Sequence, residues 1–352
     1  MSTTVTNKPT LSTHISTSPS TTKMDVTAPI NPSDLFSAKG LLVVITGGGS
    51  GLGLAIASAL FQNGASKIYL LGRRQNVLED AIKKLEASPS APKSSIPVLG
   101  AITCDVANQE SVSAAVERIK SETGYVDVLI NNAGVIGPLN GPDMYKTESI
   151  EQLRDSMLKG WYGWAQTFAI NTQSVVGVSA AFLPLLEAAD VRRGWQAGRV
   201  RGGPGDPRVT GKGTPREQDK SALKRLGYDE DDDRLAHIIT VASVASFMRY
   251  SIAGLAYNAT KAAAAQLGKI LSSILAEWGV RSNVICPGPY PSEMTAGIEG
   301  RYGTDQVPQG RMGNLNDISS LALFLVGKGG AYINGTMQIT DGGRIGVFPA
   351  TY

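Results

Sequence analysis

Two stretches of this chain carry residue types suited to chemistry, and they lie far apart. In Tyr257-Asn-Ala-Thr-Lys261 a tyrosine and a lysine stand four positions apart. On a helix that spacing puts a phenol and an ammonium on one face. Near the start, Thr46-Gly-Gly-Gly-Ser-Gly-Leu-Gly53 follows the aliphatic run LLVVI of residues 41–45. A glycine turn between a strand and a helix brings backbone N–H groups and a positive helix end toward one point, which suits a pyrophosphate. A dinucleotide held there and a phenol downstream would together serve hydride transfer to a carbonyl. That reaction leaves charge on oxygen, which needs a proton and hydrogen-bond donors. A tyrosine of ordinary pKa ~10 is a poor base at neutral pH, and a nearby cation such as Lys261 favours its phenolate.

The rest of the chain predicts elements able to bring these stretches together. Continuous β-branched and aliphatic runs at residues 41–45, 67–71, 98–104, 126–130, 237–241 and 281–286 read as strands buried on both faces, with a short last strand at 336–339. Helical patterns lie between them at 52–62, 76–86, 110–122, 164–186, around Tyr257 to Trp278, and at 318–326. Strands alternating with helices predict an α/β fold with a doubly wound, Rossmann-type parallel sheet in a single domain.

The glycine spacing, with Thr46 in front, resembles the T-G-x-x-x-G-x-G turn of the short-chain dehydrogenase/reductase family. The resemblance continues in order down the chain, over about residues 40–343. Asp105-Val106 resembles the family's adenine-contacting pair, and Asn131-Asn132-Ala133-Gly134 its N-N-A-G motif. Tyr257-x-x-x-Lys261 matches its catalytic pair, with Ser243 upstream at about the usual distance. Pro287-Gly288 matches its nicotinamide-side loop, and Ser292 stands where the family commonly has Thr. The resemblance implies Asn171, Ser243, Tyr257 and Lys261 as catalytic residues. Ser243 would hold the carbonyl oxygen, and Asn171 would support a water relaying protons to Lys261. Lys261 would also bond the nicotinamide ribose. Thr46, Gly47, Gly51, Leu52, Gly53, Asp105, Val106, Asn132, Ala133, Gly134, Tyr257, Lys261, Pro287, Gly288 and Ser292 would form the cofactor site.

Charge bears on which dinucleotide is expected. An acid at the end of the second strand would bond a ribose 2′-hydroxyl, whereas an arginine there would pair with a 2′-phosphate. This chain has Leu71-Gly-Arg-Arg74. Arg73, directly after Gly72, is the first candidate and Arg74 the second, so NADP is the expected cofactor, as in fungal NADP-dependent members of the family. The expected reaction is reduction of a ketone to a secondary alcohol, or its reverse, on a secondary metabolite or 3-oxoacyl group. Met248, Tyr250, Tyr290 and Met294 are expected in the substrate pocket, with glycine-rich residues 297–310 as a lid. The alternative is a non-catalytic dinucleotide sensor that regulates a partner, which the charged segment described below would serve.

Composition narrows the remaining classes. Of 352 residues, 42% are apolar and 18% charged, as in a soluble globular protein, and a net charge of +3 gives no reason to expect nucleic acid or an anionic membrane as partner. Two cysteines and two histidines leave no cysteine-based zinc site or histidine-rich metal site, so no metal is expected. Cys104 and Cys286 read as buried thiols in a reducing, cytoplasmic setting. No uninterrupted apolar run approaches the ~18 residues of a membrane helix. Residues 1–35, rich in Ser and Thr and without an apolar h-region, read as a disordered tail before a catalytic domain at 36–352. Residues 190–234, with the acidic run Asp229-Glu-Asp-Asp-Asp233, read as a solvated surface insertion. The apolar helix after Lys261 predicts a homodimer or homotetramer through a two-fold helix contact.

Overall fold

In the computed structural model, residues 26–93, 97–200, 216–251, 253–297 and 300–351 are described. Most of the expected tail lies outside them, as do residues 201–215 of the insertion. The contacts divide the chain into residues 1–32 and a compact body, 33–352. After a one-turn helix α1 (Pro32–Leu35), the body runs β1 (Leu42–Thr46), α2 (Gly51–Gln62), β2 (Lys67–Gly72), α3 (Gln75–Glu86), β3 (Leu99–Thr103), α4 (Gln109–Glu122) and β4 (Val128–Asn131). Helices α5 (Ile150–Leu158), α6 (Gly163–Phe168), α7 (Ser174–Arg192) and α8 (Lys220–Arg225) precede β5 (His237–Val241). Then come α9 (Leu255–Leu275), β6 (Arg281–Pro287), α10 (Leu315–Val326), β7 (Met337–Thr340) and α11 (Arg344–Val347).

The seven strands form one parallel sheet in the order β3-β2-β1-β4-β5-β6-β7. Because successive side chains of a strand point to opposite faces, β1 feeds two cores. Val43 and Ile45 join Ile56, Leu60, Ile318 and Leu325 beneath α2 and α10. Leu42 and Val44 join Val116, Ile119, Phe182 and Leu186 beneath α4 and α7. The winding reverses between β1 and β4, and at such a switch point the strand ends leave a crevice.

The rod from Gly163 to Arg192 is, among the described residues, long and apolar enough to cross a membrane by length and composition, with hydropathy 1.5 in its best window. Polar residues such as Asn171 and Thr172 hid that from a search for uninterrupted runs. Half of the window is buried, and the rod packs on β4, α4 and α9 as a core helix does.

The expectation of a solvated insertion holds for much of its described surface, where Asp229, Asp231 and Asp233 are exposed, but fails at its base, where Arg193, Asp232 and Arg234 are buried. Arg193 is 2% exposed, and its Nε donates to Asp127 at 3.0 Å while Nη1 reaches Asp232 at 3.4 Å. Arg234 closes the cluster on Asp232 at 2.8 Å, and the other oxygen of Asp127 accepts from the Leu42 N–H at 2.7 Å. Lys328 takes Asp229 and Asp231 at 2.8 and 2.7 Å. Two partners of the acidic run come from far off in sequence, Arg193 at the end of α7 and Lys328 after α10, while Lys220 and Arg234 lie near it.

Candidate active site

At the carboxyl end of β1 the chain turns through Gly47 and Gly51, whose φ angles of +65° and +52° are those glycine tolerates without strain. A Cβ on Gly53 would stand 2.3 Å from the Gly47 carbonyl oxygen, so α2 can begin this close to the turn only with glycine there. Ser50, at the N-cap of α2, makes no side-chain capping bond. The first-turn N–H groups of α2, at Gly51, Leu52 and Gly53, are thus left without a side-chain cap from Ser50, a role an anion can take. Thr46 Oγ1 accepts from the N–H groups of Asn132 and Ala133 at 3.0 and 3.1 Å. Asn132 Nδ2 returns to the carbonyls of Thr46 and Gly47 at 3.0 and 3.1 Å. These bonds lock the segment after β4 against the glycine turn and build one floor from two strand ends. A half-buried turn with positive-φ glycines and an uncapped helix fits a dinucleotide pyrophosphate.

The helical rod deforms where it passes this floor. Residues Ala169–Gln173 form a π-turn between α6 and α7, in place of the regular mid-helix that the sequence predicts. Single π-turns inside helices are frequent at functional sites, and this one turns Asn171 inward, where it is buried. Both carboxamide hydrogens are used, on the Val135 carbonyl at 2.8 Å and on Thr260 Oγ1 at 3.0 Å. Its oxygen accepts the Val135 N–H at 2.8 Å. The side chain clamps the loop after β4 to α9 and has no hydrogen left for a water. Thr260, which the sequence reading missed, is its partner on α9; nothing in its neighbourhood in the chain marks it.

Ser243 follows β5 directly, and its Oγ accepts from the Ala245 N–H at 3.1 Å. Tyr257 and Lys261 lie on α9, one turn apart as expected, with the ammonium 5.9 Å from the ring centroid. Lys261 is buried and donates to the Val241 carbonyl at 2.9 Å. Burial pushes its pKa down to about 8. Burial pushes the Tyr257 phenol up, partly offset by a hydrogen bond with Ser243. Burial is the dominant influence on Tyr257, and the Lys261 ammonium hydrogen-bonds to the end of β5. Gly134 faces both groups that converge on it: a Cβ there would lie 3.2 Å from Lys261 Nζ and 3.3 Å from Asn171 Oδ1.

Other expected residues frame this floor. Asp105 and Val106 follow β3; Asp105 Oδ1 accepts from the Ala107 N–H at 3.0 Å, and Val106 packs on the core beneath α4. Pro287 ends β6, and a Cβ on Gly288 would strike Asp341 at 2.7 Å. Ser292 crosses back over the glycine turn, its Cβ 3.3 Å from where a Gly51 Cβ would stand. Arg73 and Arg74 diverge at the end of β2. Arg73 lines a cleft of about 370 Å³ with Val135, Gly137, Gln166, Thr167 and Ile170. Arg74 instead pairs with Glu293 at 3.0 Å. Tyr290 leaves the expected pocket: it is 5% exposed, bonded to Thr340 Oγ1 at 2.6 Å, and filled in by Gly313. Tyr250 is stacked on Tyr145 at 4.1 Å. Among the described residues no three His, Cys, Asp or Glu side chains gather as metal ligands.

A Rossmann-type sheet whose glycine turn, Ser-Tyr-Lys group and clamped asparagine share one crevice defines a nicotinamide-dependent oxidoreductase. The comparisons with known proteins give the family. A profile described as "short chain dehydrogenase" matches residues 41–195, and one described as "Enoyl-(Acyl carrier protein) reductase" matches 228–344. The stretch between them falls inside the 190–234 insertion. The chain is 33% identical to the short-chain dehydrogenase/reductase PhomF of Diaporthe leptostromiformis, over 93% of this chain and 99% of that one. It is 32% identical to VdtF of Byssochlamys spectabilis, over 92% and 98%. The chain belongs to the short-chain dehydrogenase/reductase family. Its fold matches the Pseudomonas aeruginosa RhlG/NADP complex with TM-score 0.64 at 24% identity, covering 88% of this chain and 98% of that one. It also matches a 3-ketoacyl-(acyl-carrier-protein) reductase from Brucella melitensis complexed with NADH, with TM-score 0.61 at 21% identity, over 88% and 99%.

Proposed function

We propose that this chain is an NADP(H)-dependent reductase that converts a ketone to a secondary alcohol, or runs the reverse, on a secondary metabolite or 3-oxoacyl group. The observation that carries the reading is the convergence of Ser243, Tyr257 and Lys261 near the glycine turn, with Arg73, which makes no ion pair among the described residues, reaching from the end of β2 onto a cleft formed by the loop after β4 and the α6 rod. The nicotinamide, when bound, supplies or takes the hydride. Ser243 donates a hydrogen bond to the carbonyl oxygen, and Tyr257 gives that oxygen its proton. Lys261 is half or more charged below pH 8, since burial sets its pKa to about 8. Lys261 would help hold the cofactor ribose, and its charge would stabilise the phenolate that Tyr257 becomes. Asn171 holds Val135, and through it the floor under the nicotinamide, in place. One relative favours a 3-oxoacyl substrate: a rhamnolipid-biosynthesis 3-oxoacyl-[acyl-carrier-protein] reductase, 25% identical over 88% of this chain.

Purified protein incubated with NADPH and a panel of 3-oxoacyl thioesters and cyclic ketones tests the reading. Substrate-dependent loss of NADPH absorbance that Tyr257→Phe abolishes supports it. Binding of NADPH without turnover of any ketone, alcohol or thioester would overturn it.

A further inference from the structure

The two arginines after β2 are adjacent in the chain yet differently committed. Arg73 faces the cleft and, among the described residues, makes no ion pair. Arg74, which precedes α3, puts Nη2 3.2 and 3.0 Å from the two carboxylate oxygens of Glu293. Glu293 opens the short 3-10 turn Glu293–Thr295 in the loop after β6. That turn is stiff. Ser292 N–H donates to Thr295 Oγ1 at 2.9 Å, Thr295 Oγ1 donates to the Tyr290 carbonyl at 2.7 Å, and Tyr290 is anchored on Thr340. Ser292, next to Glu293, lies over Gly51. The ion pair therefore completes a strap from β6 across the glycine turn to the end of β2, over the path between a bound pyrophosphate and its 2′ substituent.

We propose that Glu293 is a specificity-determining residue: it competes with a 2′-phosphate for Arg74 and so sets how strongly the site prefers NADP(H) over NAD(H). The inference rests on the cofactor reading above. A dinucleotide with a free 2′-hydroxyl leaves the pair intact. One with a 2′-phosphate must take Arg74 from Glu293 and leave that carboxylate unneutralised, or rely on Arg73 alone. The exchange is feasible because both partners are open to solvent, with side chains 58% and 63% exposed, and such pairs are weak. The strap also makes release of the loop and seating of the phosphate one event.

The test is a set of fluorescence titrations with NADPH and with NADH on the full chain: wild type, Glu293→Gln, Arg73→Ala, Arg74→Ala and the Arg74→Ala/Glu293→Gln double variant. Glu293→Gln is expected to lower the Kd for NADPH by about three- to tenfold and to move that for NADH less than twofold, with a smaller gain at high salt. In the Arg74→Ala background the same substitution should change NADPH affinity by less than about twofold. If Glu293→Gln shifts both cofactors alike, or keeps its effect without Arg74, while Arg73→Ala still weakens NADPH selectively, the role of Glu293 is overturned and the cofactor reading stands. If neither Arg73→Ala nor Arg74→Ala weakens NADPH more than NADH, or wild type binds neither dinucleotide, both are overturned.

Discussion

The two ends of the sheet hold buried ionisable groups in opposite ways. Lys261, at the carboxyl ends of the strands, and Asp190, near their amino ends, are both brought to a pKa of about 8 by burial, one from above and one from below. Lys261 has one hydrogen-bond acceptor and faces a crevice. Asp190 accepts the Ala236 N–H at 2.7 Å on one oxygen and has no partner on the other. Around it the structure packs Arg193, Asp127 and Arg216, with Arg281 near enough to feel its charge. At the amino end the Arg193 charge is enclosed and compensated by Asp127 and Asp232, and Asp190 beside them is held toward its neutral form by burial, which fixes structure. At the carboxyl end it is left short of partners, which leaves it able to meet a ligand. The difference teaches that desolvation alone does not mark a functional group; the open side of the crevice does.

The largest way to break the comparison is at Tyr257. Tyr257→Phe is expected to reduce kcat by about 10²–10⁴-fold, the usual worth of a positioned proton donor, with melting temperature unchanged within about a degree. Steady-state kinetics beside calorimetry check it; near-wild-type kcat would remove the hydroxyl from the chemistry.

The opposite outcome is expected at the other end. Arg193→Met leaves Asp127 and Asp232 buried without their shared cation, and loss of one partner of such a pair costs about 3–5 kcal/mol. Urea unfolding should record that loss while kcat per folded molecule stays within twofold. Lowered kcat with unchanged stability would reverse the assignment of the two ends.

Next is the cofactor end of the crevice. Arg73→Ala should weaken NADPH by about 10- to 100-fold, the loss of a charge-assisted hydrogen bond of about 1.5–3 kcal/mol, and NADH by less than threefold. Equal weakening of both places Arg73 elsewhere than at a 2′-phosphate.

A smaller effect sharpens the contrast in pH. Asp190 has its folded pKa raised to about 8 from an ordinary 3.8, so the folded state holds a proton that the unfolded chain has lost. Its contribution is fully present below about pH 4, is lost as pH rises, and is gone above about pH 8. Lys261, lowered to about 8 from 10.5, acts only above pH 8 and in the opposite sense. Asp190→Asn should therefore raise melting temperature more at pH 8 than at pH 5, and thermal scans at the two values decide it. The smallest effect concerns assembly. Ile270 and Ile274 on α9 are 42% and 59% exposed, and Val176 on α7 is 41% exposed. We propose a two-fold helix contact there; light scattering should give a dimer or tetramer mass that Ile274→Glu lowers.

Much of this was legible in the chain. Residues 41–45, 67–71 and 237–241 are continuous aliphatic runs because parallel strands are covered on both faces, and the structure places strands there. The glycine turn was legible because closeness to an anion and to Asn132 admits no Cβ. Lys261 and Tyr257 were legible because one helical turn sets their spacing. Arg74–Glu293, 219 positions apart, was not, and neither was Arg193 with Asp127 and Asp232, at separations of 66 and 39. A charged residue in sequence looks the same whether water or a distant counter-ion will neutralise it.

By itself, then, the order of residues pointed to the sheet, the turn that can receive a pyrophosphate and the Tyr257–Lys261 pair, since each depends on local sterics or fixed helical spacing, while Asn171 and Ser243 were marked only by resemblance to the family. Only the tertiary structure decided how those groups are committed. It turned Asn171 inward on a π-turn and spent its carboxamide on Val135 and Thr260. It aimed Lys261 at Val241, buried Asp232 between two arginines, and gave Arg74 to Glu293 while leaving Arg73 on the cleft. The physical reason is that commitment is a matter of which polar atoms meet in low dielectric. That is settled by packing between elements far apart in the chain, where no local pattern records it.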